Sequence, residues 1–145
     1  FVIINPNNDF GSSFIFEQYK NLKKLKNFKI IKSMRFEYYL TLLKNCRFIL
    51  GNSSSGIIEA PYFGVPSINL GNRQKNRSFT DCIKNVDFNK DKILYYIKLY
   101  YKYEKRFTKK NIYGNNNSED KFIKVLKQKK IWSFKFNKQF IDVKK

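Results

Sequence analysis

Histidine is absent from this chain of 145 residues. The absence removes the usual imidazole ligands of zinc and every acid, base or catalytic triad built on histidine. Cysteine occurs only as Cys46 and Cys82, in apolar segments without metal-ligand spacing. Free thiols in a reducing cytoplasm are therefore expected, with no bound metal and no cofactor. No apolar stretch approaches the roughly 18 residues of a membrane-crossing helix. The opening Phe1-Val2-Ile3-Ile4-Asn5-Pro6 has neither the basic n-region nor the small-residue cleavage site of a secretory signal. It also lacks an initiator methionine and opens inside a strand pattern, so a preceding segment is expected.

Acidic residues are scarce, 11 against 30 basic ones, which gives a net charge of +19. Such a balance ordinarily suggests nucleic acid or an anionic surface as a partner. Here 25 of the basic residues are lysines and only five are arginines. The lysines are dispersed and thicken only toward the C-terminus. A groove for nucleic acid draws more on arginine, whose planar fork makes bidentate contacts. Solvated lysine faces are the preferred reading over a nucleic-acid surface, and no membrane partner is expected.

The hydrophobic share, 42%, is that of a globular domain. Strands are expected at residues 1–5, 28–31, 47–50 and 65–70, each a short apolar run beside turn residues. Helical spacing covers 13–26, 36–45 and 91–105, and a shorter helix is expected from Ser55 to Phe63 with Gly64 as its C-cap. Another helix should run from Ser118 through Leu126, with Glu119 and Asp120 complementing its dipole. Short strands alternating with helices imply one α/β domain with a parallel sheet. Residues 131–145 read as a basic, aromatic tail after a domain spanning 1–130.

In open α/β sheets, ligands sit beyond the carboxyl ends of the strands. Three polar segments fall there: Asn5 to Asp9, Gly51 to Gly56, and Gly71 to Gln74. The run Gly51-Asn52-Ser53-Ser54-Ser55-Gly56 offers hydroxyls and backbone N–H groups to an anion such as a diphosphate. Serine and asparagine are equally good helix caps, so the run by itself leaves both readings open. Glu59 separates them. A carboxylate one turn beyond Ser55 is repelled by a diphosphate unless it serves another part of the ligand. Vicinal ribose hydroxyls suit it, because one carboxylate accepts from both. A diphosphate at the turn and a ribose at Glu59 describe a nucleoside diphosphate, and Arg73 and Arg77 stand in a loop able to reach its phosphate or sugar end.

The sequence from Gly51 to Pro61, followed by Gly64-Val65-Pro66, Ile68 to Gly71 and Arg73-Gln74-Lys75-Asn76-Arg77, resembles the signature of the hydrolysing UDP-N-acetylglucosamine 2-epimerases. The similarity extends back through Pro6 to Gly11 and forward through Tyr113-Gly114, covering about residues 1–127. It implies a Rossmann-like parallel sheet with flanking helices, the C-terminal, UDP-binding domain of a GT-B-like two-domain enzyme. It also implies a UDP-sugar substrate and a role in supplying sialic- or legionaminic-type sugars. By position, Asn7 is expected near the nucleotide. Ser53, Ser54 and Ser55 are expected at the diphosphate, Glu59 at the ribose hydroxyls, and Arg73, Gln74 and Arg77 toward the phosphate side. The backbone at Met34 and Arg35 is expected to flank uracil.

The resemblance also says what is missing. The family's catalytic carboxylates belong to an N-terminal domain, and its histidine lies upstream of the first strand. Neither has a counterpart here, so no catalytic residue is assigned and the chain alone is expected to be inactive. An N-terminal catalytic domain is the expected partner; assembly into a homo-oligomer stays open. Asn76 stands where the family usually has glycine, which is expected to stiffen the arginine loop. Two other readings remain: the donor-nucleotide domain of a GT-B glycosyltransferase, and a basic nucleic-acid-binding module.

Overall fold

Apolar runs too short for a helix become strands: β1 (Val2–Ile4), β2 (Lys29–Ile31), β3 (Ile49–Gly51), β4 (Ser67–Leu70) and β5 (Ile83–Val86). Between and after them lie α1 (Ser12–Leu22), α2 (Phe36–Asn45), α3 (Glu59–Phe63), α4 (Lys90–Lys102), α5 (Ser118–Leu126) and α6 (Lys129–Trp132). This computed structural model describes residues 1–6, 10–77, 80–114 and 117–133. The chain divides into two compact units, Phe1–Lys110 and Asn111–Lys145. The expected boundary at 130/131 falls inside α6. Most of the expected tail, and Asn7 among the expected site residues, lie outside the described residues.

Every strand pairing in the first unit is parallel. β1 pairs with β2, and β4 pairs with β3 on one side and β5 on the other. Phe1 stacks on Phe28 at 5.2 Å between ring centroids and meets Phe48 edge-on at 6.3 Å. These rings precede β1, β2 and β3 respectively, so the two ladders share an N-terminal edge. Tyr39 of α2, the helix that follows β2, bonds Ser55 in the turn after β3, which brings the carboxyl ends of β2 and β3 together.

Strand β4 is the axis of the core. Ser67, Ile68 and Asn69 are all buried, as are Val65 and Pro66 before them. Side chains alternate along a strand. Ile68 packs with Val86 and Tyr100 on the α4 side, while Ser67 approaches the turn that follows β3. Asn69 donates to Asn85 Oδ1 at 2.7 Å, joining register neighbours of β4 and β5. A second cluster, Leu43, Ala60 and Val65, holds α2 and α3 together with help from Tyr39, Cys46, Ile49 and Phe63. The fold is thus α/β and Rossmann-like, with parallel strands flanked by helices.

Helix α2 keeps the expected bounds, and α5 also runs from Ser118 to Leu126. Strand β5 was not among the expected strands, and the connection from β4 to it carries no helix among its described residues. The expected helix from Ser55 to Phe63 is broken. A single 3-10 turn spans Ser54–Gly56, and α3 begins only at Glu59. Gly56 marks the break, at a point where an added Cβ would stand 2.6 Å from Ser67 Oγ. The chain approaches β4 that closely and then has to re-enter a helix. Gly64 closes α3 as expected, in the left-handed conformation at φ 67°.

In the second unit, no residue of α5 or α6 is buried. Trp132 Nε1 donates to the Leu126 carbonyl at 2.8 Å and ties α6 to the end of α5.

Candidate functional site

At the carboxyl edge of the first unit, the turn after β3 is built by its own serines. Ser53 caps it, its hydroxyl accepting from the Ser55 amide at 3.3 Å. The amides of Gly56, Ile57 and Ile58 donate to the carbonyls of Ser53 and Ser54. These bonds leave the amides of Ser53 and Ser54 uncommitted, beside two exposed hydroxyls. The anion-binding potential of the run therefore sits in its first two serines.

Ser55 is placed differently. It is 8% exposed, and its hydroxyl shares a short hydrogen bond with the Tyr39 phenol of α2. Burial pushes the Tyr39 phenol above its ordinary value; the bond to Ser55 pulls the other way, and the nearby Glu59 carboxylate pushes it up again. Glu59, at the start of α3, is partly buried, and its Oε2 is a buried oxygen without a hydrogen-bond partner. A buried acceptor left unpaired costs about 1–3 kcal/mol, so such an atom invites a donor from outside the chain.

The crossover from β4 to β5 is clamped to this turn. Gln74 is only 4% exposed, and its Nε2 donates to the Asn52 carbonyl at 3.1 Å. Arg77 Nη1 in turn donates to Gln74 Oε1 at 2.8 Å. The sequence places Gln74 and Arg77 beside a ligand; the structure shows them joined in a chain of bonds back to the β3 turn. Arg73 is exposed and makes no hydrogen bond or ion pair among the described residues. Asn76 holds φ 64°, a left-handed conformation that glycine adopts freely and asparagine tolerates.

Met34 and Arg35 lie in the segment between β2 and α2, on the same carboxyl edge. Arg35 is exposed, 3.8 Å from Glu37 and over the Tyr38 ring at 5.9 Å. Asn5, at the end of β1, carries a buried Oδ1 without a partner. The structure brings Ser53, Ser54, Ser55, Glu59, Gln74 and Arg77 into one neighbourhood through the β3 turn. Tyr39 belongs to that neighbourhood, and the sequence shows it only as one position within the helical spacing over 36–45. Its hydroxyl was the available signal, because a buried tyrosine needs a partner for its O–H.

Away from this edge, Cys46 and Cys82 are free thiols, both pushed up by burial. Among the described residues, no group of three or more metal-ligating His, Cys, Asp or Glu side chains forms, and no helix is long and apolar enough to cross a membrane.

The family described as UDP-N-acetylglucosamine 2-epimerase matches residues 1–127. The UDP-N-acetylglucosamine 2-epimerase of Neisseria meningitidis serogroup B is 37% identical over 98% of this chain and 38% of its own length. The hydrolysing UDP-N,N'-diacetylbacillosamine 2-epimerase of Legionella pneumophila is 31% identical over 87% of the chain and 33% of its own. A hydrolysing GDP/UDP-N,N'-diacetylbacillosamine 2-epimerase of Campylobacter jejuni is 44% identical over 48% of the chain and 17% of its own. The chain spans well under half the length of each of these relatives.

Proposed function

The chain belongs to the UDP-N-acetylglucosamine 2-epimerase family, and from that premise we propose that it forms the UDP-binding, C-terminal part of a hydrolysing 2-epimerase of GT-B architecture. The substrate is a UDP-N-acetylhexosamine, either UDP-N-acetylglucosamine or its diacetamido-bacillosamine analogue, and the product feeds sialic- or legionaminic-type sugars. Free thiols and a nucleotide-sugar substrate fit a cytoplasmic setting.

The observation that carries this reading is Glu59 Oε2, buried and unpaired beside a serine turn with two uncommitted amides. The exposed Ser53 and Ser54 meet the diphosphate, with Arg73 supplying positive charge. Gln74 keeps the β4–β5 loop in place and presents Arg77 on the same side. Glu59 accepts from the ribose hydroxyls. Asn7, Met34 and Arg35 complete the site by their positions in the sequence.

The reaction proposed for the whole enzyme removes the proton at sugar C2 with anti elimination of UDP. Water then adds to the resulting glycal from the opposite face. Both steps require a positioned acid and base. Glu59 cannot be that base while it holds ribose, so these groups come from the remaining part of the enzyme. This chain contributes binding and orientation of the leaving nucleotide.

Titrating the purified chain with UDP tests the reading. Weak, saturable binding that Glu59→Ala reduces is expected, with no hydrolysis of UDP-N-acetylglucosamine by the chain alone. Steeply salt-dependent DNA binding indifferent to Glu59→Ala, without UDP binding, would replace it with a nucleic-acid module. Glycosyl transfer by the full-length enzyme would replace it with a glycosyltransferase.

A further inference from the structure

Of the three serines after β3, Ser53 and Ser54 face solvent and Ser55 faces inward. Ser55 is held by Tyr39, sixteen positions earlier on α2. The Tyr39 ring is itself fixed, stacking on Phe36 at 6.4 Å and packing against the cluster of Leu43, Ala60 and Val65. The same phenol lies close enough to Glu59 for the carboxylate to oppose its ionisation. One side chain therefore reaches both parts of the site: its hydroxyl holds the serine turn, and its ring packs against the cluster that contains Ala60, the neighbour of Glu59. Between those parts the chain is irregular: the 3-10 turn ends at Gly56, and α3 begins at Glu59. Across this gap the backbone is joined, among the described residues, only by the bonds of the Ile57 and Ile58 amides to the Ser54 carbonyl, so the side chain of Ser55 carries the tie from the turn to α2.

We propose that Tyr39 is a positioning residue of the nucleotide site, holding the Ser53–Gly56 turn and Glu59 at the separation that diphosphate and ribose impose. The inference rests on the nucleotide reading above. A phenol serves well here because its aromatic body is locked in the core while its single polar atom reaches the turn.

The test uses the chain with Tyr39→Phe, Ser55→Ala and the double variant, each measured for UDP affinity and for urea stability. Tyr39→Phe keeps the ring and its stacking and leaves the Ser55 hydroxyl buried without its partner. Both affinity and stability fall, affinity by about tenfold for the loss of one hydrogen bond. In the double variant both polar partners are gone, which is close to neutral for stability. Stability therefore recovers while UDP affinity stays down, because the turn is no longer tied to α2. Amide exchange at Gly56, Ile57 and Ile58 should accelerate in the double variant even without ligand.

Recovery of affinity together with stability would show that Tyr39 only packs and would overturn the proposal. So would a Tyr39→Phe chain that binds UDP as the parent does. A parent chain that binds no UDP sinks the nucleotide reading, and this inference with it; the parent titration reports that outcome separately.

Discussion

Replacing Glu59 by glutamine should weaken nucleotide binding and leave stability close to that of the parent. Glutamine keeps the shape of the side chain and removes its charge. In the free chain Glu59 Oε2 is buried and unpaired, and an amide in the same place is left unpaired as well, so stability should change by less than about 1 kcal/mol. In the complex, glutamine still offers a carbonyl to one ribose hydroxyl but loses a charge-assisted bond to the other. Such a bond contributes about 1.5–3 kcal/mol, so the UDP Kd should rise roughly tenfold to a hundredfold. Differential scanning fluorimetry and isothermal titration with UDP and 2'-deoxy-UDP read the two effects. The parent chain should favour UDP over its deoxy analogue, and Glu59→Gln should narrow that preference. If stability and affinity fell together, Glu59 would be a structural residue; unchanged UDP affinity would remove it from the site altogether.

Gly56→Ala should destabilise the chain by about 1–3 kcal/mol, as overpacking does, because its Cβ meets Ser67 Oγ at 2.6 Å. Adding Ser67→Ala should recover most of that loss in urea unfolding, since Ser67 Cβ lies a comfortable 3.9 Å away. Asn76→Ala should lose about 1 kcal/mol for a left-handed residue with no compensating polar side chain, whereas Asn76→Gly should sit close to the parent; equal losses would mean that φ 64° is not the cause. Burial pushes the Tyr100 phenol up to about 12 from an ordinary 10.0. Above pH 10 the unfolded chain releases this proton while the folded chain keeps it, so stability is intact below pH 10 and declines toward pH 12. Urea midpoints at pH 9 and 11 should therefore differ less in Tyr100→Phe than in the parent; an equal drop in both would place the effect elsewhere.

Much of the fold is legible along the chain because its signals are local. Helix α2 keeps the bounds 36–45 because Tyr39, Leu40, Leu43 and Cys46 recur at helical spacing up to a residue that turns extended. Gly64 ends α3 because glycine enters the left-handed region without strain. Strand β5 is not legible in this way. Ile83-Lys84-Asn85-Val86 is four residues with two polar ones in the middle, and it becomes a strand by pairing along the buried β4. The broken helix after β3 likewise lies where Gly56 approaches Ser67, a contact that no local pattern announces.

The candidate site divides along the same line. Sequence alone determined the absence of histidine, the kinds of residue at the strand ends and the family to which they belong. Those properties depend on composition and order. Tertiary structure decided which polar groups are already spent: Ser55 on Tyr39, Gln74 on Asn52, Arg77 on Gln74. It equally decided which stay uncommitted among the described residues: the exposed side chains of Ser54 and Arg73 and the buried Oε2 of Glu59. A buried polar group must find its partner wherever the fold brings one. Tyr39 with Ser55, and Gln74 with Asn52, meet from different elements of the fold, so only the folded chain could separate the polar groups that pair internally from those that do not.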